Sequence, residues 1–325
     1  MSFRNPNRRH VLAALATALT APAFADERYP SRPVRIVSPA PPGALSDLLP
    51  RLLATELSAA MQASVIVENK PGAGGSIGAT MVARAPADGY TLLLGTGGMM
   101  SFNPHLMPQL GYDPRKDFTP LALLASTPLY LVVRPDSPYK TFDDLVAAAK
   151  AQKGQLAYGT LGNGSTVAVA GTLMSRAKGL EFIEVPFAGY APALQELLGG
   201  RLAFTMVDGS SLARIENGSL RALAVSTVQR AKRLPEVPTL KELGAPVELS
   251  VWFGLYAPAG LPAPIAQKLA AELKQAIEKP TVKTQLDAFG LEAGTLFGEA
   301  FLQYHSAEVK RWGTILPALG IKPGG

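Results

Sequence analysis

A chain of 325 residues without a cysteine has room for two domains, and it rules out disulfides, thiolate metal sites, a cysteine nucleophile and a lipid-bearing N-terminal cysteine. Its hydrophobic share of 47% is ample for folded cores. Half of the formal charge of +6 comes from Arg4, Arg8 and Arg9, and no run of Lys and Arg interleaved with aromatics marks a nucleic-acid surface.

Those three arginines precede an apolar stretch, 11–20, and then Ala23-Phe24-Ala25, a small-x-small cleavage site. This is the three-part layout of a secretory signal peptide over residues 1–25. The apolar stretch is too short to span a bilayer. Arg8-Arg9 ahead of Val11-Leu12 also fits a twin-arginine signal, so the choice between general and twin-arginine export stays open. The mature chain is expected to begin at Asp26 and to reside in the periplasm as a soluble monomer, because no later stretch is long and apolar enough to cross a membrane.

From there short β-rich runs alternate with helix-length segments. Strand 34–37 is followed by Leu48, Leu49, Leu52, Leu53, Leu57 and Met61 at helical spacing, with Ser46 or Asp47 as N-cap and Pro50 in the first turn. Strand 65–67, helix 76–85 and strand 90–94 come next. Thr141 and Asp144 form a capping-box pair ahead of a helix to about 151. Strand 156–158, helix 165–176, strand 182–185, helix 191–198 and strands 202–207 and 220–225 follow. The alternation argues for parallel sheets covered by helices. Two longer apolar segments, 121–133 and 249–256, read as strands that cross between lobes. They divide the chain into a discontinuous lobe 1, 26–125 with 251–325, and lobe 2, 126–250. The final helix carries Phe301, His305, Trp312 and Leu316 on one face and is expected to pack on lobe 1.

The turns after the strands are rich in small residues: Gly43, Ala44, Ser46 and Asp47; Gly72, Gly74 and Ser76; Thr96 and Gly97; Gly162, Asn163, Gly164, Ser165 and Thr166; Gly189, Tyr190 and Ala191. In an open α/β sheet ligands bind beyond the carboxyl ends of the strands. Backbone N–H groups there, several at helix N-termini, hold an anion without a full positive charge. An anion site in the cleft is therefore expected.

Catalytic readings are weaker. Gly72-x-Gly74 lacks the third glycine of a dinucleotide fingerprint, since Ile77 stands there. Gly74-Gly75-Ser76-Ile77-Gly78 matches the nucleophile-elbow pattern, but Lys70-Pro71-Gly72-Ala73 separate it from its strand. The mature chain offers only His105, read in a loop, and His305, read as a core histidine. No His/Asp/Glu cluster has metal-ligand spacing, and no Walker-type loop occurs, so neither a metal nor a cofactor is expected.

Several stretches, in their order and spacing, carry a family resemblance: Pro33-Val34-Arg35-Ile36-Val37; Val67-Glu68-Asn69-Lys70-Pro71-Gly72-Ala73-Gly74-Gly75; Asp88-Gly89-Tyr90-Thr91; Tyr112-Asp113-Pro114; Pro235-Glu236-Val237-Pro238-Thr239; Trp252-Phe253-Gly254-Leu255. With them the mature chain resembles the substrate-binding receptors of tripartite tricarboxylate transporters, the Bug receptors. The resemblance implies an α/β, two-lobed type II periplasmic-binding fold, with two doubly wound sheets joined by two crossing strands. It implies no catalysis, a small carboxylate ligand (a di- or tricarboxylate or an amino acid) and delivery to membrane subunits of such a transporter. A serine hydrolase using Ser76, or a receptor signalling to a kinase, are the alternatives. The ligand is expected among the turns named above, with Asp208 nearby. Departures from the family pattern touch specificity: Ala40 replaces an aromatic, Pro41-Pro42 stiffen the first turn, Ala44 replaces a glycine, and Ala168 stands where a histidine is common.

Overall fold

A computed structural model describes residues 29–162 and 164–318, so the expected signal peptide and Asn163 of the expected site lie outside the described residues. The chain falls into a segment ending at Ser31, of which Tyr29 to Ser31 are described, and a body beginning at Arg32. Everything below concerns the body.

Two mixed sheets organise it. The first has six strands in the order β11-β4-β10-β3-β1-β2: β1 (Val34–Ser38), β2 (Val65–Asn69), β3 (Thr91–Thr96), β4 (Phe118–Thr127), β10 (Val251–Pro258) and β11 (Glu292–Ala293). The second has five in the order β7-β6-β8-β5-β9: β5 (Tyr130–Val133), β6 (Ala157–Thr160), β7 (Ile183–Pro186), β8 (Phe204–Val207) and β9 (Arg221–Val225). In the first sheet β2, β1 and β3 are parallel, as the alternating pattern predicts, whereas β10 and β4 join antiparallel. The second repeats this, with β7, β6 and β8 parallel and β5 and β9 antiparallel. The strands that run against the rest are β10, with the short β11, in the first sheet and β5 in the second; β4 and β9 run with the parallel strands. A crossing strand that enters a sheet from the other lobe has no helix before it to reverse its direction, so it need not run parallel.

Helices α1 (Leu45–Met61), α2 (Ser76–Ala83), α3 (Asn103–Leu106), α4 (Phe142–Ala151), α5 (Thr166–Lys178), α6 (Tyr190–Leu198), α7 (Leu212–Glu216), α8 (Ala263–Glu278), α9 (Pro280–Ala288) and α10 (Glu299–Ala318) complete the body. None of the described helices is long and apolar enough to cross a membrane. The capping box predicted at Thr141 and Asp144 is formed at α4: Asp144 N donates to Thr141 Oγ1, and Asp144 Oδ2 accepts from Thr141 N. On α10, Phe301, His305, Trp312 and Leu316 are all buried, with Phe301 edge-on to Trp252 of β10. His305 is a satisfied core residue: its ring contacts Tyr256 Oη at 3.2 Å and the Pro114 carbonyl at 3.1 Å, and burial pushes its pKa down.

The two passages between the sheets are tied at one residue. Ser226, fully buried just past β9, donates its hydroxyl to the Leu249 carbonyl at 2.8 Å and accepts from Leu129 N at 3.0 Å. Its backbone bonds the same two residues. Leu129 follows β4 and Leu249 precedes β10, so both crossings meet here. Removing the hydroxyl strands one buried donor and one buried acceptor, each worth roughly 1–3 kcal/mol. Ser226→Ala is therefore expected to lower unfolding stability by about 2 kcal/mol or more in urea titration; an unchanged midpoint would show that the tie carries no load.

The sheets also meet at glycines on two sides of the cleft. Gly164, before α5, lies against Asn103, and a Cβ on Gly98 would stand 2.9 Å from the Gly164 carbonyl oxygen. On the other side Gly209, after β8, abuts Gly290, after α9, backbone against backbone: a Cβ on Gly290 would lie 2.6 Å from Gly209 Cα. Gly209 N also donates to Thr127 Oγ1 at 3.1 Å.

Candidate functional site

A cavity of about 640 Å³ lies between the two sheets. Its walls are the turns beyond the carboxyl ends of β1, β3, β6, β7 and β8, with a contribution from β10.

The first wall is built by the turn from β1 into α1. Gly43, Ala44 and Ser46 line the cavity. Neither Ser46 nor Asp47 is the N-cap that the sequence pattern predicts. The helix begins one residue earlier, at Leu45, behind an extended Ala44 that offers no side-chain cap. The first turn of α1 thus lines the cleft with no side-chain cap on its N–H groups. The earlier start also moves Pro50 out of the first turn, where its missing N–H would leave the Ser46 carbonyl without its helical donor. The buried Ser38 hydroxyl supplies that donor at 2.7 Å. This bond anchors the first turn of α1 to the end of β1.

Asp47 lies off the cavity wall, buried behind it. It accepts from Gly43 N at 2.9 Å, Arg51 Nε at 2.8 Å and Asn69 Nδ2 at 2.8 Å, while Asn69 also donates to the Ala40 carbonyl at 2.9 Å. Burial pushes its pKa up, but the bonds from Arg51, Gly43 and Asn69 outweigh it and hold the carboxyl below its ordinary value. Asp47 therefore shapes the turn that carries Gly43 and Ala44.

The turn after β2 contributes less. Gly72, Ala73, Gly74 and Gly75 all have positive φ, a left-handed run that glycine makes affordable. Of this turn only Gly74 lies on the wall; Gly72 is exposed on the outer side, and Ser76 opens α2 off the wall. Beyond β3, Thr96 lines the cavity. Gly97 does not: it is pressed against Trp252, and a Cβ there would stand 2.8 Å from the indole nitrogen.

The second sheet supplies the opposite wall. Gly164, Ser165 and Thr166 line it at the start of α5, whereas Gly162 is not among the lining residues. Ser165 caps α5 by accepting from Ala168 N at 3.2 Å. Gly189, Tyr190 and Ala191 line it at the start of α6, whose N-cap Gly189 again offers no side chain. Asp208, at the end of β8, completes the wall with 5% exposure. Its Oδ1 accepts both Ser210 N at 3.0 Å and Ser210 Oγ at 2.5 Å. Burial raises its pKa to about 6 against the opposing bonds from Ser210. Burial, and then the Asp208 charge, push the Tyr190 phenol well above its ordinary value.

Sequence reasoning missed Met99, Ser210, Val251 and Phe253, all on the wall. Val251 and Phe253 belong to the crossing segment 249–256. A strand that joins two lobes at a cleft must expose some side chains to it, and that was the available signal. Together with Pro41, Pro42 and Leu161 these residues make much of the lining apolar. No Lys, Arg or His is among the described lining residues.

The groups of the serine-hydrolase alternative are not assembled. Ser76 has ordinary right-handed helical φ/ψ, unlike a strained elbow, and its hydroxyl points to Met107 Sδ at 3.8 Å. His105, expected in a loop, lies in α3 with its ring on the Val309 carbonyl at 3.0 Å, and His305 is spent on Tyr256 and Pro114. What remains is a largely apolar chamber with the N-terminal residues of helices α1, α5 and α6 on its wall. Such a chamber can hold an anionic organic molecule without reacting with it.

The chain is similar to known proteins. Residues 49–321 match the family described as "Tripartite tricarboxylate transporter family receptor". A Rhodopseudomonas palustris protein, Rpa4515, solved with adipate, is 34% identical, with 91% of this chain and 99% of that one covered and a TM-score of 0.85. The periplasmic binding protein BugD is 32% identical over 91% of this chain and 100% of its own, TM-score 0.83. MatC from Rhodopseudomonas palustris, solved with malate, is 31% identical over 89% of this chain and 100% of its own, TM-score 0.82.

Proposed function

Because the chain belongs to the tripartite tricarboxylate transporter receptor family, we propose that it captures a small organic carboxylate in the interlobe cavity and presents it to the membrane subunits of such a transporter. The observation that carries this reading is that three uncapped or partly capped helix N-termini lie on a chamber with no basic side chain among its described lining residues. The dipoles and orphan N–H groups at such ends stabilise a carboxylate. The solved relatives hold adipate and malate, which supports an organic carboxylate of this size as the ligand class. Lobe 1 is taken as 26–125 with 251–325 and lobe 2 as 126–250, closing about the tie at Ser226. The basic and apolar N-terminus with Ala23-Phe24-Ala25 supports export to the periplasm and processing before Asp26.

The site residues are those of the turns: Gly43, Ala44, Ser46, Gly74, Thr96, Gly164, Ser165, Thr166, Gly189, Tyr190, Ala191 and Asp208 on the wall, with Asp47, Gly72, Ser76, Gly97 and Gly162 off the wall in the same loops and Asn163 next to Gly164 in the sequence. The test is a thermal-shift screen of the mature protein against a carboxylate library, followed by calorimetry on Ser46→Ala and Thr166→Val. A bound ligand raises the melting temperature by mass action. Each variant removes one hydroxyl, and a hydrogen bond to a charged group is worth roughly 1.5–3 kcal/mol, so affinity is expected to fall about tenfold or more. Wild-type affinity in both folded variants would remove the ligand from this cavity. Recovery of the ligand unchanged after long incubation is expected; a modified product would overturn the binding-protein reading.

A further inference from the structure

The cavity is not uniformly attractive to anions. Asp208 brings a carboxylate of its own to the wall, and both bonds from Ser210 fall on its Oδ1. No cation is among the influences on it; the groups that act on its carboxyl are Ser210 and its own backbone, and its charge acts in turn on the Tyr190 phenol. Its burial is nearly complete, with 5% exposure. A carboxylate buried this far, with only Ser210 and its own backbone acting on it, gains from any further donor that a ligand brings.

Asp208 stands in the same lobe as the N-termini of α5 and α6, so its charge offsets their positive ends. The N-terminus of α1, across the cleft, has no such counterweight on the wall: Asp47 is turned away into bonds with Gly43, Arg51 and Asn69. The chamber is thus polarised. An anion is favoured beside Gly43 to Ser46, and a hydrogen-bond donor beside Asp208.

We propose that Asp208 makes this receptor select carboxylates that carry a hydrogen-bond donor, ammonium or hydroxyl, at the end remote from the carboxylate, and reject the matched dicarboxylates. The inference rests on the carboxylate-binding reading above and sharpens it. A second carboxylate placed against Asp208 meets like charge with no basic residue among the described wall residues to relieve it. An ammonium or hydroxyl there donates a charge-assisted bond to the Asp208 carboxylate. The apolar stretch of wall from Leu161, Val251 and Phe253 suits the methylene chain between the two ends.

The experiment is calorimetry on the mature protein with two matched series. One contains succinate, 4-hydroxybutanoate and 4-aminobutanoate; the other contains adipate, 6-hydroxyhexanoate and 6-aminohexanoate. In the series that fits, the donor-bearing member is expected to bind on the order of tenfold or more tighter than its dicarboxylate. In Asp208→Asn that preference should shrink at least tenfold, with the dicarboxylate gaining affinity. A dicarboxylate that binds tightest to the wild type, or a ranking that Asp208→Asn leaves unchanged, overturns the selectivity role while leaving carboxylate binding intact. Failure of all six probes to bind the folded protein overturns the selectivity role and counts against the carboxylate reading beneath it, which the library screen then decides.

Discussion

Gly209→Ala is expected to weaken ligand binding by on the order of 100-fold while leaving both sheets folded. Gly209 follows β8 and faces Gly290, whose backbone a Cβ would overlap, and Thr127 Oγ1, which it would approach to 2.7 Å. A side chain in the way can rotate; a carbonyl and its carbon cannot without moving the chain that carries them. Gly209 is in the second sheet's lobe and Gly290 in the first's, so the cheapest relief is to part the lobes on this side. Binding needs both walls. If the closed arrangement falls to about one molecule in a hundred, apparent affinity falls by the same factor. Small-angle scattering of the ligand-free variant is expected to show a larger radius of gyration, and far-ultraviolet circular dichroism an unchanged spectrum. Calorimetry giving wild-type affinity would mean that the Gly209–Gly290 contact can shift without opening the cleft.

Asp208→Asn is expected to stabilise the ligand-free protein at neutral pH by about 3 kcal/mol relative to the wild type, and to have little effect near pH 4. The sign follows from the direction of the shift. Burial raises the Asp208 pKa from 3.8 to about 6, so between these values the folded chain holds a proton that the unfolded chain has released. The stabilisation is complete below pH 3.8 and is lost as the pH rises to about 6, above which the buried charge costs the full amount. Asparagine keeps an oxygen for Ser210 N and Ser210 Oγ, both of which bond Oδ1, and carries no charge to desolvate. Urea titrations of both proteins at pH 4 and pH 7 measure the difference. Equal stability differences at the two pH values would show that Asp208 is charged at no cost.

Much of this was legible in the chain because local rules and tertiary structure agree. The Thr141–Asp144 capping box, the parallel strands around β1 and β6, and the apolar face of α10 follow from spacing alone. So did the turns that furnish most of the wall, since small residues after strands are where an α/β sheet binds. The start of α1 was misread because Ser46 and Asp47 are good N-caps in isolation. Their side chains are taken up elsewhere: Asp47 by Gly43, Arg51 and Asn69, with Ser46 turned to the cleft. Pro50 then needed a substitute donor from Ser38, a contact between strand and helix that no periodicity encodes. Gly97 shows the converse. It has the composition of a ligand loop, but its bareness serves the approach of Trp252, 155 positions along the chain. Phe253 and Val251 were hidden for a similar reason, since a run that is apolar on every residue does not say which face meets the cavity.

The strand order carries a consequence for how the chain matures. In the second sheet every strand lies between Tyr130 and Val225, an unbroken span. In the first, β10 occupies the middle, between β4 and β3, yet it arrives more than a hundred residues after β4, at Val251–Pro258. A polypeptide emerging N-terminus first can finish the second sheet while the first still has a gap at its centre, with the paired edges of β3 and β4 held apart. Premature release before Pro258 therefore yields a product with one mature half and two exposed β edges, the kind of species that chaperones and proteases recognise. Completion of the ligand chamber is tied to the last quarter of synthesis, and an unfinished chain cannot compete with the finished receptor for solute.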